Sequence, residues 1–513
     1  MLYLYTCLPN GLSSAPRIFT KLLKPVKASL HTLGHLSLGY IDDSFLQGDS
    51  ARECSSNIKA TALLFKRLGF HLHPTKSVII PTQTLTFLGF RLDSLSMTVS
   101  PTREKIFKTV EACKRLRTVT RPLISEVAEV IGLMVSNFPG VQFGPLHYRF
   151  LERDKTYALT THKGDYKSHM TLTPSSVAEL TWWIDNMPHS SRDIIHPTPF
   201  MIVPTDASTL GWGAVYGNHE VGRRWTSLER TRHINILELQ AAFFALKSFC
   251  KETIKGHIQL QIDNTTAVAY INNMGGSKSP QLNSLAQEIW DWCIQRQLWI
   301  SATHIAGKLN VSADSKSRKF QDKHEWMLNK EAFQVILSSY PELNIDLFAT
   351  RLNNQLPLYC SWKPDPGCAF VDALTIDWRK FNFYAFPPFS LIPRCLQKIA
   401  QDQAKGILII PVWPTQTWFS QVLQLLCHQP WILKPSKSLL QHATQQVHPL
   451  HNKLHLMVCP LSGNPSHNSM FLQMLPRSSW LPGEWAHKNN TKHTLKNGWH
   501  FVIKEALLTV HQR

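Results

Sequence analysis

The sequence predicts a multidomain chain of the α/β and α+β classes. Three observations carry this expectation. At 513 residues, the chain has room for about three domains of ~150 residues each. Its hydrophobic fraction of 43% is that of an ordinary globular protein. Strand-like and helix-like patterns also alternate in three separate stretches, as mixed α/β units require.

The elements follow in chain order. Residues 1–95 alternate short strand patterns with one good helix, "ARECSSNIKATALLFKRLGF". Residues 96–195 read as mostly helical from "SPTREKIFKTVEACKRL", where Ser100 can cap and Pro101 suits the first turn. Residues 196–325 alternate strands and helices. "MIVPTDASTLGWGAVYG" reads as strand, turn and strand, and "GRRWT" supplies a third strand. "NILELQAAFFALKSF" is an amphipathic helix. "HIQLQIDNTTAVAYINNM" is a strand and a helix, and "LWISATHIAGKLNVSADSKSR" a strand, a loop and a short helix. Residues 340–430 alternate again, more weakly. Residues 431–513 are rich in His, Pro, Asn and Ser, have little periodicity, and are expected to form a poorly defined tail. No internal repeat and no low-complexity tract is present.

A formal net charge of +19 points to a polyanionic partner, most simply nucleic acid, over a merely basic soluble enzyme. The ten cysteines run from Cys7 to Cys459 with no C-x-x-C pair. A zinc ribbon or redox motif is therefore not expected, and reduced thiols in an intracellular protein, cytoplasmic or nuclear, are. "MLYLYTCLPNGL" lacks the form of a signal peptide. No apolar run reaches the length of a transmembrane helix, so no membrane partner is expected.

"GYIDDSFLQG" sets Asp42 and Asp43 side by side at a hairpin tip. A tip lets both carboxylates reach one divalent cluster, and the plain alternative is an exposed Asp-Asp turn that binds nothing. "LPNGLSSAPRIFTKLLKPV" precedes the hairpin, and "LGFHLHPTKS" and "LTFLGFRLDS" follow it. In that order, over about 90 residues, the set resembles the palm of retroelement reverse transcriptases. The resemblance implies metal binding by Asp42 and Asp43, and it places Gly11 near template and incoming nucleotide. It also implies a substrate-side role for Lys76 and a primer-grip hairpin at Phe87-Leu88-Gly89. Asn10 departs from the family, which more often has Phe or Gln there. The family draws another aspartate from an earlier strand, yet no Asp or Glu precedes Asp42 here. The expectation is a partial palm, followed by thumb and connection, with an incomplete polymerase site.

The second site has four acids in order: Asp206 on a strand, Glu238 on a helix, Asp263 at a strand end and Asp314 on the last short helix. The order βββαβ and these four positions resemble the ribonuclease H fold over about 120 residues. Four carboxylates from separate elements can hold two Mg²⁺ ions about 4 Å apart, with Mn²⁺ as an alternative. By the same resemblance His304 is a mobile histidine that helps product leave; otherwise it is an ordinary strand-end histidine. Of the adjacent Trp182 and Trp183, one is expected to pack inward, because neighbouring helical residues diverge by ~100°.

"LNIDLFATRLNNQ" through "KGILIIPVWPTQTWFSQVLQLL" resembles the methyltransferase-like segment of tyrosine-recombinase retrotransposons of the DIRS-like group. That segment is similar to phage adenine-N6 methyltransferases, whose signature is Asn or Asp-Pro-Pro-Tyr or Phe. Here the stretch is Phe386-Pro387-Pro388-Phe389, and Phe386 cannot accept a hydrogen bond. Asp346 falls near the cofactor pocket, but no Gly-rich turn follows it. The expected domain is α/β and silent.

Together these readings describe a reverse transcriptase/ribonuclease H fragment that cuts RNA in RNA–DNA hybrids. Its partners would be RNA template, DNA and hybrid, with other retroelement proteins possible. The alternative from another class is a non-catalytic nucleic-acid-binding remnant. Adenine methylation would require binding of S-adenosylmethionine.

Overall fold

The computed structural model describes residues 11–322, 325–444, 446–477 and 499–512. The chain folds as two compact units, 1–196 and 197–513. Among the described residues every cysteine is a free thiol, and no helix is long and apolar enough to cross a membrane.

The first unit opens with a helix that the pattern reading omitted, α1 (Ala15–Thr32). Pro25 lies inside it, and an interior proline ordinarily argues against a helix. Packing outweighs that cost, since Leu23 and Val26 are buried against Phe65. β1 (Ser37–Tyr40) and β2 (Asp43–Leu46) form the hairpin, with Tyr40 opposite Asp43. Ile41 occupies its turn at φ 52°, a left-handed conformation that is costly for a β-branched residue. α2 (Ala51–Arg67) is capped by Ser50. The buried Asn57 amide donates to Leu36 O and Gln47 O at 2.7 and 2.9 Å, tying both hairpin strands to this helix.

β3 (Thr84–Phe87), β4 (Phe90–Asp93) and β5 (Thr98–Pro101) follow. Ser100 and Pro101 are therefore strand residues. Thr102, whose Oγ accepts from Lys105 N, caps α3 (Arg103–Thr118). The cap falls two residues later than expected because pairing with β4 holds Ser100 and Pro101 in the sheet. α4 (Ile124–Asn137), α5 (Arg149–Thr161) and α6 (Pro174–Asn186) complete the helical part. β6 (Arg192–Asp193) returns to pair with β5. Trp183 is fully buried in the helical core and donates Nε1–H to His147 O at 2.7 Å. Trp182 instead stacks on the His147 ring at 3.9 Å.

The second unit starts with β7 (Met201–Ala207), β8 (Gly211–Tyr216), β9 (His219–Arg224), α7 (Ile234–Phe249), β10 (Gly256–Ile262), α8 (Thr265–Asn272), α9 (Pro280–Ile294), β11 (Leu298–His304) and α10 (Val311–Arg318). The sheet order is β11-β10-β7-β8-β9, with β11, β10 and β7 parallel and β7, β8 and β9 antiparallel. This is the βββαβ arrangement that the sequence pattern implies. α7 is buried nearly all round, from Ile236 to Leu246. α10 lies across β8 and β9, where Gly213 and Gly222 leave no room for a side chain: a Cβ at either would strike the carbonyl of Ala313 or Lys316.

The rest of the chain is β12 (Met327–Leu328), α11 (Lys330–Ser339), β13 (Ile345–Asp346), β14 (Cys360–Ser361), β15 (Phe370–Val371), β16 (Asn382–Ala385), α12 (Ile392–Asp402), β17 (Lys405–Pro411) and α13 (Phe419–Leu425). Then come β18 (Trp431–Leu433), β19 (Leu440–Gln441), β20 (Leu456–Ser462), α14 (Pro465–Met474), β21 (Trp499–Ile503) and β22 (Ala506–Gln512). A seven-stranded sheet runs β13-β16-β17-β20-β18-β22-β21. This corrects the expected tail. Strands after residue 430 are integral to the sheet, and β20 is its fourth strand, buried along its whole length. "LMVCPLS" does not alternate because both of its faces are covered, which removes the period-2 signal.

The buried Glu179 carboxylate accepts from Phe150 N and Leu151 N at 3.1 and 2.9 Å, at the start of α5. Burial pushes its pKa from the usual 4.5 up to about 7. Between those values the folded chain holds a proton that the unfolded chain has lost. Stability from this group is therefore full below about pH 4.5 and falls as pH rises toward about 7. Glu179→Gln is expected to flatten that part of the pH dependence of thermal unfolding. An unchanged slope would show that this carboxyl titrates normally.

Candidate metal centre

Three of the four expected acids of the second site converge. Asp206 lies near the end of β7, Glu238 on the first turns of α7, and Asp263 directly after β10. Each offers a carboxylate oxygen within 4.8 Å of the others. Asp206 and Glu238 are buried and Asp263 is half-buried. Among the described residues this is the one group of three or more metal-ligating side chains so arranged.

Local structure explains the convergence. Parallel pairing of β7 with β10 brings the carboxyl ends of both strands to the same edge of the sheet. Asn264, next to Asp263, caps α8 through its Oδ1 and donates Nδ2–H to Asn235 Oδ1 at 2.9 Å, linking the loop to α7. Nothing can be added at Gly307 without pressing on Asp263, since a Cβ there would lie 3.2 Å from Oδ2.

The electrostatics favour a cation. Burial, then the charges of Asp206 and Asp263, push the Glu238 carboxyl up to about 9. Burial is also the main cause that raises Asp206. Asp206 Oδ2 and Glu238 Oε2 are buried without a hydrogen-bond partner. Unsatisfied carboxylate oxygens of like charge are costly, and a hard divalent cation with oxygen ligands removes that cost. The donor set therefore fits Mg²⁺ or Mn²⁺.

The fourth acid stands apart. Asp314, on the first turn of α10, is outside the group of three, and its Oδ1 accepts from Arg318 Nε at 2.7 Å. His304 is exposed at the end of β11, with Nε2 3.2 Å from Asp263 O. Pattern reading missed several supporting residues. Asn310 Nδ2 donates to Thr205 O at 2.8 Å, and Ser208 Oγ donates to Ser317 O at 2.7 Å. These two bonds sew α10 to β7 and its turn. Arg318 was also missed, although its i,i+4 spacing from Asp314 was a readable signal.

The first site gathers less. Asp42 and Asp43 are exposed at the hairpin tip; Gly11, before α1, and Lys76, after α2, are exposed as well. Among the described residues no third acid, Cys or His joins the two aspartates in a metal-binding group. The Lys27 ammonium fills the space that a side chain at Gly39 would take. In the last region Phe386 lies just past the end of β16, its ring 6.3 Å from Phe389, which in turn meets Trp413 at 5.3 Å. Asp346 is buried, and its two oxygens accept from Phe348 N and Gln355 N. Its hydrogen bonds thus go to its own loop.

Arg318 holds the Asp314 carboxylate, so it would compete with a cation for that group. An exposed pair of this kind is weak, so Arg318→Gln is expected to tighten Mg²⁺ or Mn²⁺ binding only about 2- to 5-fold. Calorimetric titration of the full chain measures this. Unchanged or weaker binding would show that the arginine does not compete.

Residues 1–92 match the family described as "Reverse transcriptase (RNA-dependent DNA polymerase)". No curated protein matches the chain. Among solved structures, a foamy viral protease-reverse transcriptase in complex with double-stranded DNA aligns at 14% identity over 58% of this chain and 50% of its own, with a TM-score of 0.32. The same viral protein in complex with an RNA/DNA hybrid aligns at 16% over 58% of this chain and 39% of its own, TM-score 0.30. Ribonuclease H1 from Halobacterium salinarum NRC-1 aligns at 20% over 23% of this chain and 92% of its own, TM-score 0.20. This chain thus spans half or less of those two viral chains. Residues 1–92 are thus similar to a reverse transcriptase family, and the five-stranded sheet follows them in the chain.

Proposed function

We propose that this is a retroelement reverse transcriptase/ribonuclease H chain whose working centre is Asp206, Glu238 and Asp263, with Asp314 at its rim. Its reaction is metal-dependent cleavage of RNA in an RNA–DNA hybrid. The observation that carries this reading is the meeting of three carboxylates from three separate elements, two of them with buried, unpartnered oxygens.

A divalent cation bound there would activate water and stabilise the leaving 3′ oxygen. The chain's own groups divide the remaining work. Asp206 and Glu238 fix the buried side of the centre, and Asp263 presents its half-exposed face to substrate. Asp314 adds charge at the rim. His304, exposed beside the backbone of Asp263, is placed to help product depart. The net charge of +19 supplies phosphate attraction without base selection.

The palm segment supports membership of a polymerase protein. Asp42 and Asp43 form a pair without a third acid among the described residues, so the 513-residue chain is not expected to extend a primer. Template-dependent synthesis by the purified chain would overturn this. We further assign residues 340–430, together with the later strands that complete their sheet, to a silent methyltransferase-like domain of a DIRS-like element. Phe386 supports that silence, because it occupies the polar position of the signature. Methyl transfer to adenine would count against it.

The central test uses a labelled RNA–DNA hybrid with Mg²⁺ and the full chain. Asp206→Asn and Asp263→Asn keep side-chain shape and remove charge. Cleavage is expected to fall by several orders of magnitude, and Asp314→Asn to be milder. Hybrid binding should survive in all three variants and weaken steeply with salt, by about 10³-fold between about 50 and 200 mM if some six phosphates are contacted. Equal cleavage by wild type and Asp263→Asn would exclude these carboxylates. Absence of cleavage by both would favour a binding protein without catalysis.

A further inference from the structure

The last region has a second relationship to the centre, independent of any ligand of its own. β9 is the outer strand of the five-stranded sheet, and an open edge with buried charges needs a cover. Arg223, on β9, is almost fully buried. Its Nε lies 3.4 Å from Asp365 Oδ2, and its Nη2 lies 3.9 Å from Glu325 Oε1. Asp365 is fully buried and also accepts from Tyr359 Oη and Arg351 N.

A second tie is bidentate. Arg351 Nη1 donates to both oxygens of Glu229 at 3.0 and 3.1 Å, and Nη2 donates to Arg224 O at 3.2 Å. Its guanidinium also lies 4.6 Å from the centroid of the Phe244 ring of α7. From the opposite direction, Lys251 just after α7 donates to Cys368 O and Ala369 O at 2.7 and 2.6 Å.

Two further contacts reach the chain that leaves α10. Arg224 pairs with Asp322 and packs over Phe320. His442, from the last region, donates Nε2–H to Asp322 O at 2.7 Å. Asp322 lies four residues beyond Arg318, the end of the helix that bears Asp314. The exit of α10 is therefore fastened on both sides.

We propose that residues 325–512 act as an intramolecular positioning module. Docked on β9 and on the 319–322 segment, they fix α10 and hence the placement of Asp314. The catalytic part of this inference rests on the hydrolase reading above; the docking part does not. Arg351, Asp365 and His442 are positioning residues in this scheme.

The test uses the full chain with Arg351→Glu, Glu229→Arg, and the two combined. The first readout is amide hydrogen exchange over residues 311–322. The second is kcat and KM on an RNA–DNA hybrid. Each single variant is expected to speed exchange over 311–322 by about tenfold or more and to lower kcat with little change in KM. The combined exchange of charges should restore most of both. Wild-type exchange rates in the single variants, or no recovery in the combined one, would overturn the proposal. Should a single variant fail to fold, Arg351→Gln and Lys251→Met give the same readouts with smaller perturbation. If the wild type cleaves no hybrid, the exchange measurement alone decides docking, and only the hydrolase reading falls.

Discussion

Mutual repulsion among Asp206, Glu238 and Asp263 is the constraint around which the second unit is arranged. Three carboxylates within 4.8 Å of one another, two of them buried, resist being brought together unless the scaffold is stiff. Stiffness comes from elements that bury apolar surface elsewhere. α7 is enclosed along most of its length, and β10 is an interior strand paired on both sides. Short polar links then lock the loops: Asn264 to Asn235, and Asn310 to Thr205 O. The charge problem is thus confined to one edge of the sheet, where only Asp263 is partly exposed.

The acids themselves were legible because each sits in a local pattern with its own period. Strand and helix patterns announce β7 and α7, although α7 proves to be buried nearly all round and not amphipathic as expected. Capping chemistry follows Asp263, and a short polar helix carries Asp314. What joins them was less legible. Ser208 meets Ser317 across more than a hundred residues, and no local pattern reports such a bond. The sequence order already makes Asp314, on the last short helix, the most peripheral of the four, and its pairing with Arg318 sets it further apart.

Misreadings elsewhere have the same kind of cause. α1 was hidden by Pro25, since propensity speaks locally and the packing of Leu23 and Val26 on Phe65 does not. The strands after residue 430 were hidden by the opposite effect. His-, Pro- and Asn-rich loops dilute the composition, while strands such as Leu456–Ser462, covered on both faces, lose their alternation. Ionic contacts of the last region with β9 were invisible for a further reason: Arg223, Arg224, Arg351 and Asp365 read as ordinary surface charges until the fold brings them together.

The two glycines beneath α10 act as a mechanical stop. At Gly213 and Gly222 the backbone carbonyls of Ala313 and Lys316 and the Lys316 Cβ crowd against the sheet. Elsewhere in a core, a lost methyl group can be absorbed by neighbours that shift. Here the seat has little give, so main-chain contact limits how closely the helix that bears Asp314 can approach the sheet. Any side chain at either position would lift the helix as a rigid rod, and the rim of the centre would move with it. Drift in the surrounding sequence can therefore alter how tightly this helix is held far more readily than where it sits.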